Sequence, residues 1–530
     1  MDIKQIASGF SVTGQIQVDD VKEIAAKGFK AIICNRPDDE MGAVAHGLIA
    51  AEAKNCGLEL HYLPVAGTGI TEENVVQAAA LIEKLPHPVL AYCRSGKRSE
   101  SLYQAVQAMV KPGRSTRRDT DHGLQVVIVG GGAAGIATAC SLMERSAGVN
   151  ITIIEPSDVH FYQPGWTMVG GGVFESETTV RTMASQIPGG VRWIRNSVER
   201  FDPESNMVFV KGGEGIGYDQ LVVCPGLALD WQAIDGLEET LGRNGVTSNY
   251  RFDLAPYTWD LVSNLKSGKA IFTQPPMPIK CAGAPQKAMY LSSDHWHRKG
   301  VLKDIDIEFC NAGGVLFGVK EYIPALMEYV EKYQAQLSFN SNLVAIDGPA
   351  RVATFACTDE NGKTRKVKKT FDMIHVCPPQ KAHGFISASP LADAAGWVEV
   401  DPSTLQHKRF KNIWSLGDTA GTSNAKTAAA VRKQAPVVAE NLLAVSSGKT
   451  PEMVYKGYGS CPLTVERGRI VLAEFGYGGV LQPTFPKWLI NGERPTRLAW
   501  FLKEKILPSL YWHGMLKGKE WMAKPRRQAS

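Results

Sequence analysis

The stretch that most constrains this chain is "LQVVIVGGGAAGIATACSLMER", residues 124–145. Its first six residues read as a buried strand, its glycines as a tight turn, and the run after them as a helix. Gly130, Gly132 and Gly135 satisfy GxGxxG in that strand-to-helix setting. The first glycine allows the turn, the second lets a pyrophosphate approach the backbone, and the third lets helix pack on strand. The next strand-like run, "NITIIEP", ends at Glu155, twenty residues after Gly135. That is the distance at which a carboxylate reaches a ribose in a βαβ unit. A glycine turn alone would say little. With both flanks and the acid present, the stretch predicts an α/β fold that binds a dinucleotide.

Far downstream, "FKNIWSLGDTAG" is an apolar strand ending in Gly417-Asp418. Flavoproteins built from two dinucleotide-binding, Rossmann-like domains close their FAD site with a strand of this kind, its Asp near the ribityl chain. The two motifs together make FAD the expected cofactor. A second, nicotinamide site would need another glycine fingerprint in the middle of the chain. "IDIEFCNAGGVLFGVKEY" has suitable flanks, but Asn311-Ala312-Gly313-Gly314 departs from GxGxxG. The middle region is therefore expected to keep the shape without the nicotinamide function, so that electrons enter from another donor.

A length of 530 residues suits two or three domains. Residues 1–110 read as a small α/β unit, with "FKAIICN" and "PVLAYC" as strands and "ENVVQAAALIEKL" and "SESLYQAVQAMV" as helices. "KPGRSTRRDTDHG", residues 111–123, is polar, basic and aperiodic, and reads as a linker. Residues 124–480 form the expected flavoprotein, with 124–225 and 370–440 as its FAD part and 226–369 as a vestigial second dinucleotide domain. The start of the chain lacks a secretory pattern, and no run of 18 apolar residues could span a bilayer. The net charge of +5 comes without a long Lys/Arg run, so no nucleic-acid partner is expected. None of the ten cysteines forms a CxxC pair, which disfavours zinc, and no metal is expected.

Two cysteines have unusual settings. Cys281 lies in "QPPMPIKCAGAPQKAMYL", after a proline-rich entry and beside Gly283, with Lys280 and Lys287 near to favour its thiolate. Cys461 lies in the glycine-rich "YKGYGSCPLTVERGRIVLAEFGY", again before proline. Most of the other cysteines, such as Cys34, Cys140, Cys310 and Cys377, fall inside apolar runs and read as core thiols.

"EPSDVHFYQPGWTMVGGG", "KCAGAPQKAMYLS", "SPLADAAGWVEVDPSTLQHKRFKNIWSLGD", "NAKTAAAV" and "GYGSCPLTVERGRIVLAEFGY" together resemble sulfide:quinone oxidoreductases of the mitochondrial-type branch, over about residues 124–519. The resemblance implies that Cys281 and Cys461 are a redox pair that meets at the flavin. It implies that Cys281 is the flavin-side thiolate and Cys461 carries the sulfane sulfur as a persulfide. The FAD contacts it implies are Gly130, Gly132, Gly135, Glu155, Gln163, Val198, Lys287, Gly417, Asp418 and Lys426. Hydrogen sulfide is then the electron donor, a quinone the acceptor, and a small molecule (glutathione, sulfite or another thiol) takes the sulfur. Phe475 and Phe485, in "AEFGYGGVLQPTFPKW", are candidate quinone contacts.

Quinones reside in lipid, so such an enzyme must touch a membrane surface. Residues 481–530 interleave Trp500, Phe501, Leu502, Ile506, Leu507, Leu510, Tyr511 and Trp512 with Lys503, Lys505, Lys517 and Lys519. That pattern suits an interfacial anchor of a peripheral protein on the cytoplasmic side. Truncation after about Arg494 is expected to weaken membrane binding and leave the flavin chemistry intact.

The first unit carries its own puzzle. "ICNRPDDE" and "AYCRSGKRSE" resemble the phosphatase-fold domain of beta-lactamase hydrolase-like proteins, over residues 1–110. A strand ending in Cys93, a basic turn and a helix N-terminus make an anion cradle. Phosphatases of this fold usually space Cys and Arg as Cys-x5-Arg, whereas Cys93 and Arg98 are Cys-x4-Arg, the spacing of many rhodanese loops. A phosphatase also needs an Asp general acid roughly thirty residues upstream, where only the oddly placed Glu72 and Glu73 are available. The expectation is that Cys93 carries sulfur, its thiolate favoured by Arg94, Lys97 and Arg98. Two other readings stay open: a type II NADH:quinone oxidoreductase, and a Cys-dependent phosphatase joined to a redox module.

Overall fold

The computed structural model describes residues 3–7, 9–66, 70–110 and 123–527. The linker at 111–122 and the side chains of Glu72 and Glu73 lie outside the described residues. The chain divides into two units, residues 1–117 and 118–530.

In the first unit, strands β1 (Ile3–Ala7), β2 (Phe10–Thr13), β3 (Ala31–Cys34), β4 (Glu59–Tyr62) and β5 (Val89–Tyr92) form one sheet in the order β1-β2-β5-β3-β4. β1 is antiparallel to β2, and the other neighbours are parallel. The central strands "AIIC" and "VLAY" are buried along their whole length, as parallel strands covered on both faces must be. Helices α1 (Asp20–Ala26), α2 (His46–Asn55), α3 (Glu72–Lys84) and α4 (Lys97–Val110) alternate with the strands. Cys93 leaves the C-terminal end of central β5, and α4 begins four residues later.

The strands that position the second unit's site are, along the chain, β6 (Leu124–Val129), β7 (Val149–Ile154), β8 (Arg192–Ile194), β9 (Gln220–Val223), β10 (Val246–Thr247), β11 (Gly268–Gln274), β12 (Ile305–Asn311), β13 (Gln336–Ser338), β14 (Met373–His375) and β15 (Ile413–Ser415). A hairpin follows, made of β16 (Gly459–Glu466) and β17 (Arg469–Phe475). One parallel sheet has the order β8-β7-β6-β9-β15, and a second has the order β10-β14-β11-β12-β13. The glycine turn joins β6 to α5 (Ala133–Arg145), as the sequence predicts. β14 pairs within the second sheet, so that sheet extends past the expected boundary at 369.

The second sheet also corrects the search for a second fingerprint. Its leading βαβ unit is β11, α6 (Ala284–Lys299) and β12. The turn equivalent to GxGxxG therefore follows β11, and it carries Cys281. Asn311 and the glycines after it end β12, the strand one step later.

The last helical run, 497–517, is not the free amphipathic stripe that its composition suggests. Trp500, Tyr511, Trp512 and Leu516 are buried, and Tyr511, Trp512 and Leu516 join the core that α5 and α7 (Ala428–Ser446) build. The Leu516 carbonyl accepts from the Cys140 thiol, and Glu520 pairs with Arg145 of α5. Outward-facing residues remain, with Trp488 84% exposed, Phe501 52%, and Leu489, Leu498 and Ile506 each above 40%.

Candidate active site

The glycine turn fits a bound dinucleotide. Gly130 has φ +105°, and a Cβ there would lie 2.6 Å from the Cys224 carbonyl. A Cβ on Gly135 would meet the Gly130 carbonyl at 1.9 Å, so helix and strand can touch only with glycine in that place. Gly132, the N-cap of α5, faces open space where a pyrophosphate would sit. Glu155 accepts from the backbone N–H groups of Gly131 and Ser157, 2.8 Å each, which fixes its carboxylate beside the turn. Val198 starts the strand Val198–Asp202 and packs with Val129 and Ile154, at the ends of β6 and β7.

The second half of the cradle comes from the strand end at β15. The Gly417 N–H donates to Gln434 of α7, and Asp418 follows it. Lys426 is buried, with Nζ donating to the carbonyls of Asp418 and Ala420 at 2.8 and 2.9 Å. Burial lowers the Lys426 ammonium to about 8, against the pull of Asp418. Burial raises the Asp418 carboxyl, and Lys280 and Lys426 oppose that rise. Gln163 reaches the same region, its Oε1 accepting from Lys280 Nζ at 2.7 Å.

Cys281 and Cys461, 180 residues apart in sequence, meet with their Sγ atoms 3.8 Å apart. Two local features make the approach possible. Cys281 sits at φ +49°, a left-handed conformation that costs a non-glycine residue about 1–3 kcal/mol. The loop is held in place by the Cys281 N–H to the Lys426 carbonyl, the Lys280 N–H to Gln380, and the Tyr250 hydroxyl to the Lys280 and Cys281 carbonyls. Gly283 supplies the second feature: a Cβ there would lie 2.5 Å from Cys461 Sγ.

The pair is electrically unequal. A hydrogen bond from Cys461 and the Lys287 ammonium, with Nζ 3.2 Å from Cys281 Sγ, hold the Cys281 thiol well below the ordinary range despite burial. The hydrogen bond to Cys281, burial and the neighbouring thiolate push Cys461 well above it. Burial works against the charge on Lys287, but the thiols beside it outweigh burial and keep it protonated. Lys287, expected at the cofactor, donates to this sulfur.

A further lysine completes the pocket. Lys503 is 2% exposed and donates to the Pro164 carbonyl at 2.8 Å. Burial and the like charge of Lys287 lower it to about 7, against the pull of the two cysteines. The sequence pattern counted it among the basic residues interleaved with aromatics in the interfacial segment. Lys503 lies within a π-helical turn at Leu502–Ile506, which adds a residue to the helix, and it is the buried residue of that turn. Tyr250 and Gln380 were missed as well, because neither belongs to a motif.

Phe475 and Phe485 do not share an apolar cluster. Phe475 packs edge-on against Phe317, with ring centroids 5.9 Å apart, whereas Phe485 lies against the cluster of Trp500 and Leu472.

In the first unit Cys93 is 1% exposed, at the end of β5. Arg98 does not simply face the thiol. Its Nη1 donates to the Val65 carbonyl at 2.8 Å, and its Nη2 pairs with Glu40 at 2.9 Å. Glu40 is also paired with Arg36, whose Nε lies 3.2 Å away. Sequence reasoning passed over Glu40, which is 58 positions from Arg98.

Comparison with known proteins agrees with both halves of this picture. Residues 2–110 match the family model of the beta-lactamase hydrolase-like protein, phosphatase-like domain, and residues 124–267 match that of pyridine nucleotide-disulphide oxidoreductase. The chain is 40% identical over 445 residues to the mitochondrial sulfide:quinone oxidoreductase of Dictyostelium discoideum, covering 83% of this chain and 93% of that protein. It is 38% identical to the mouse mitochondrial enzyme of the same name, over 74% of this chain and 86% of that one. The crystal structure of the sulfide:quinone oxidoreductase from Aquifex aeolicus shares the fold, with a TM-score of 0.61 at 21% identity, over 74% of this chain and 92% of that one. With a pyridine nucleotide-disulphide oxidoreductase domain, a cysteine pair joining the turn after β11 to the β16–β17 hairpin, and relatives of this identity and coverage, the chain belongs to the sulfide:quinone oxidoreductase family.

Proposed function

We propose that this chain oxidises hydrogen sulfide at the Cys281–Cys461 pair, with FAD as its flavin and a quinone as the final electron acceptor. The observation that carries the reading is the approach of the two thiols to 3.8 Å, with the Lys287 ammonium 3.2 Å from one of them. A disulfide needs a separation of about 2 Å, so bridging the two thiols takes a small closure of the pocket and the loss of two electrons and two protons, for which the flavin would be the electron acceptor. Hydrosulfide attacks Cys461 of the bridged pair; the S–S bond breaks, Cys461 keeps the incoming sulfur as a persulfide, and Cys281 leaves as a thiolate. The unequal electrostatics give this direction, since the better leaving group is the cysteine whose thiolate is favoured. Lys287 holds that thiolate, and Tyr250 and Gln380 fix its loop. Gly130, Gly132, Gly135, Glu155, Gln163, Val198, Gly417, Asp418 and Lys426 would hold FAD, which supplies a two-electron acceptor beside Cys281.

A small thiol or sulfite removes the sulfane sulfur from Cys461. The nicotinamide alternative is not favoured, because the turn that would cradle that cofactor carries Cys281. Phe475 and Phe485, the quinone contacts of this reading, lie against separate apolar clusters. The chain binds a membrane surface through the outward apolar residues Trp488, Leu489, Leu498, Phe501 and Ile506, beside exposed Arg494, Arg497 and Lys505. It does so as a peripheral protein on the cytoplasmic side; among the described residues, no helix is long and apolar enough to cross a membrane. In the first unit, Cys93 carries sulfur onward, and covalent attachment raises its local concentration near the source.

The test is anaerobic mixing of the purified holoenzyme with sulfide and with NADH, each in the presence of quinone. Rapid bleaching of the flavin by sulfide is expected. Faster turnover with NADH would overturn the reading.

A further inference from the structure

Reducing a quinone to its quinol adds two electrons and two protons, and the hairpin that carries Cys461 also holds a cluster built to move protons. Glu474 of β17 is 5% exposed, and the donors that hold it are neutral. Its Oε1 accepts from the Tyr458 hydroxyl at 2.6 Å and from the Thr484 hydroxyl, its Oε2 from the Thr484 N–H at 3.0 Å. The two hydroxyls lie 3.1 Å apart. Tyr458 and Thr484 are half-buried, so the hydroxyls lead from the carboxylate toward solvent. Lys433 lies over the Tyr458 ring, 5.5 Å from its centroid, but among the described residues no ammonium or guanidinium pairs with the carboxylate. Buried carboxylates usually have a cationic partner. One held by exchangeable hydroxyls instead is placed to receive a proton and pass it on.

Position says what the proton is for. Glu474 and Leu472 share one face of β17, and Leu472 belongs to the apolar cluster against which Phe485 and Leu502 pack. Cluster members Ile490, Ala499 and Trp500 adjoin in sequence the outward Leu489, Leu498 and Phe501, so apolar side chains lead from the exposed face to the strand of Glu474. On the other side, a Cβ on Gly459, next to Tyr458, would lie 2.7 Å from the Ala425 side chain, the neighbour of Lys426 in the cofactor cradle.

We propose that Glu474, with the Tyr458 and Thr484 hydroxyls, relays a proton from solvent to the bound quinone. This rests on the reading of that apolar face as the quinone's approach. The step balances: the flavin's two electrons arrive with one proton, and the second proton passes from solvent through the hydroxyls to Glu474 and on to the quinone. Both carbonyl oxygens become hydroxyls, and Glu474 ends as it began.

The experiment uses the full-length holoenzyme with decylubiquinone as the probe, and follows the two half-reactions separately by stopped flow. Glu474→Gln keeps the shape and an acceptor oxygen but cannot exchange the proton. Bleaching of the flavin by sulfide is expected to keep its original rate, whereas reoxidation of the bleached flavin by decylubiquinone is expected to slow about a hundredfold. Ferricyanide takes electrons without protons, so reoxidation by ferricyanide should be unchanged. Tyr458→Phe, which removes one hydroxyl and leaves both the ring and Thr484, should slow the quinone step about tenfold and again spare ferricyanide. A quinone step at the original rate in Glu474→Gln overturns the proposal. So does an equal slowing with ferricyanide, which would mark a carboxylate that only holds the hairpin together. If Phe485→Ala leaves the dependence on quinone concentration unchanged while Glu474→Gln slows the quinone step alone, the approach path fails and the proton relay stands.

Discussion

The Cys93 loop and the Cys281–Cys461 pair assemble their charged neighbours in opposite ways. Around Cys93 the chain is crowded with positive charge, with Arg94, Lys97 and Arg98 inside five residues, yet Arg98 is spent on Glu40 and a backbone carbonyl. Around Cys461 the nearest residues are Gly, Ser, Pro and Leu, yet its pocket gathers Lys287 and Lys503, the latter from 42 positions away. Local charge density in the sequence is therefore a poor guide to which charges reach a thiol. What decides it is which charges are buried beside the sulfur and which are already paired.

The largest test of this contrast removes sulfur from one site at a time. Cys281→Ser and Cys461→Ser should each slow sulfide-dependent flavin bleaching about a thousandfold or more, with the flavin absorbance of the purified protein retained. Cys93→Ser should leave the first bleaching event unchanged in the same stopped-flow trace. A slow first event in Cys93→Ser would mean that the two sites are not chemically separate.

A purely steric change sharpens the comparison next. Gly283 has φ −88°, which alanine adopts freely, so Gly283→Ala stresses only the space beside Cys461 Sγ. Displacing that sulfur by about 1 Å should cost on the order of a hundredfold in flavin reduction by sulfide. A normal rate would show that the pocket relaxes and that close approach is not required.

The third test is pH. The Cys281 thiol is depressed, so in the reduced protein its thiolate persists below the usual pKa of about 8.5. Alkylation of Cys281 by iodoacetamide should stay nearly flat as pH falls from 9 to 7, where an ordinary thiol loses about tenfold per unit below its pKa. Lys287→Met should restore part of that fall. An unchanged profile in the variant would move the cause away from Lys287.

The smallest expected effect on chemistry comes from the surface. Phe501→Glu together with Ile506→Glu should reduce co-sedimentation with anionic vesicles roughly tenfold, while sulfide still bleaches the flavin at the original rate. Undiminished sedimentation would place the lipid contact elsewhere.

How far the sequence reached depended on whether a feature was local. The glycine turn and Glu155 were legible because a βαβ unit fixes their spacing, and the buried strands of the first unit announced themselves as apolar runs. Cys281 and Cys461 could be singled out by proline and glycine neighbours, but their meeting, created by a parallel sheet and a distant hairpin, came only from family resemblance. Glu40 stayed hidden because its partner is 58 residues away. The second-fingerprint search went astray by one strand, since Asn311-Ala312-Gly313-Gly314 looks like a phosphate turn and the proline-rich Cys281 turn does not. Lys503 could not be told from its basic neighbours, because composition assigns no face and a π-turn breaks the 3.6-residue count that would assign one.

That π-turn has a consequence for modularity. The run 497–517 carries Phe501 and Ile506 on its outer side and delivers Lys503 to the thiols on its inner side. Eight residues after Lys503, Tyr511 bonds His160, whose other nitrogen bonds the Gly131 carbonyl in the dinucleotide turn. A deletion after Arg494 would therefore take away pocket wall and lipid contact together, contrary to the expectation that it would spare the flavin chemistry. The segment therefore cannot be shed, swapped or recombined as an independent cassette: its outward face, where we propose the lipid contact, can be altered without disturbing the thiol pocket only one side chain at a time.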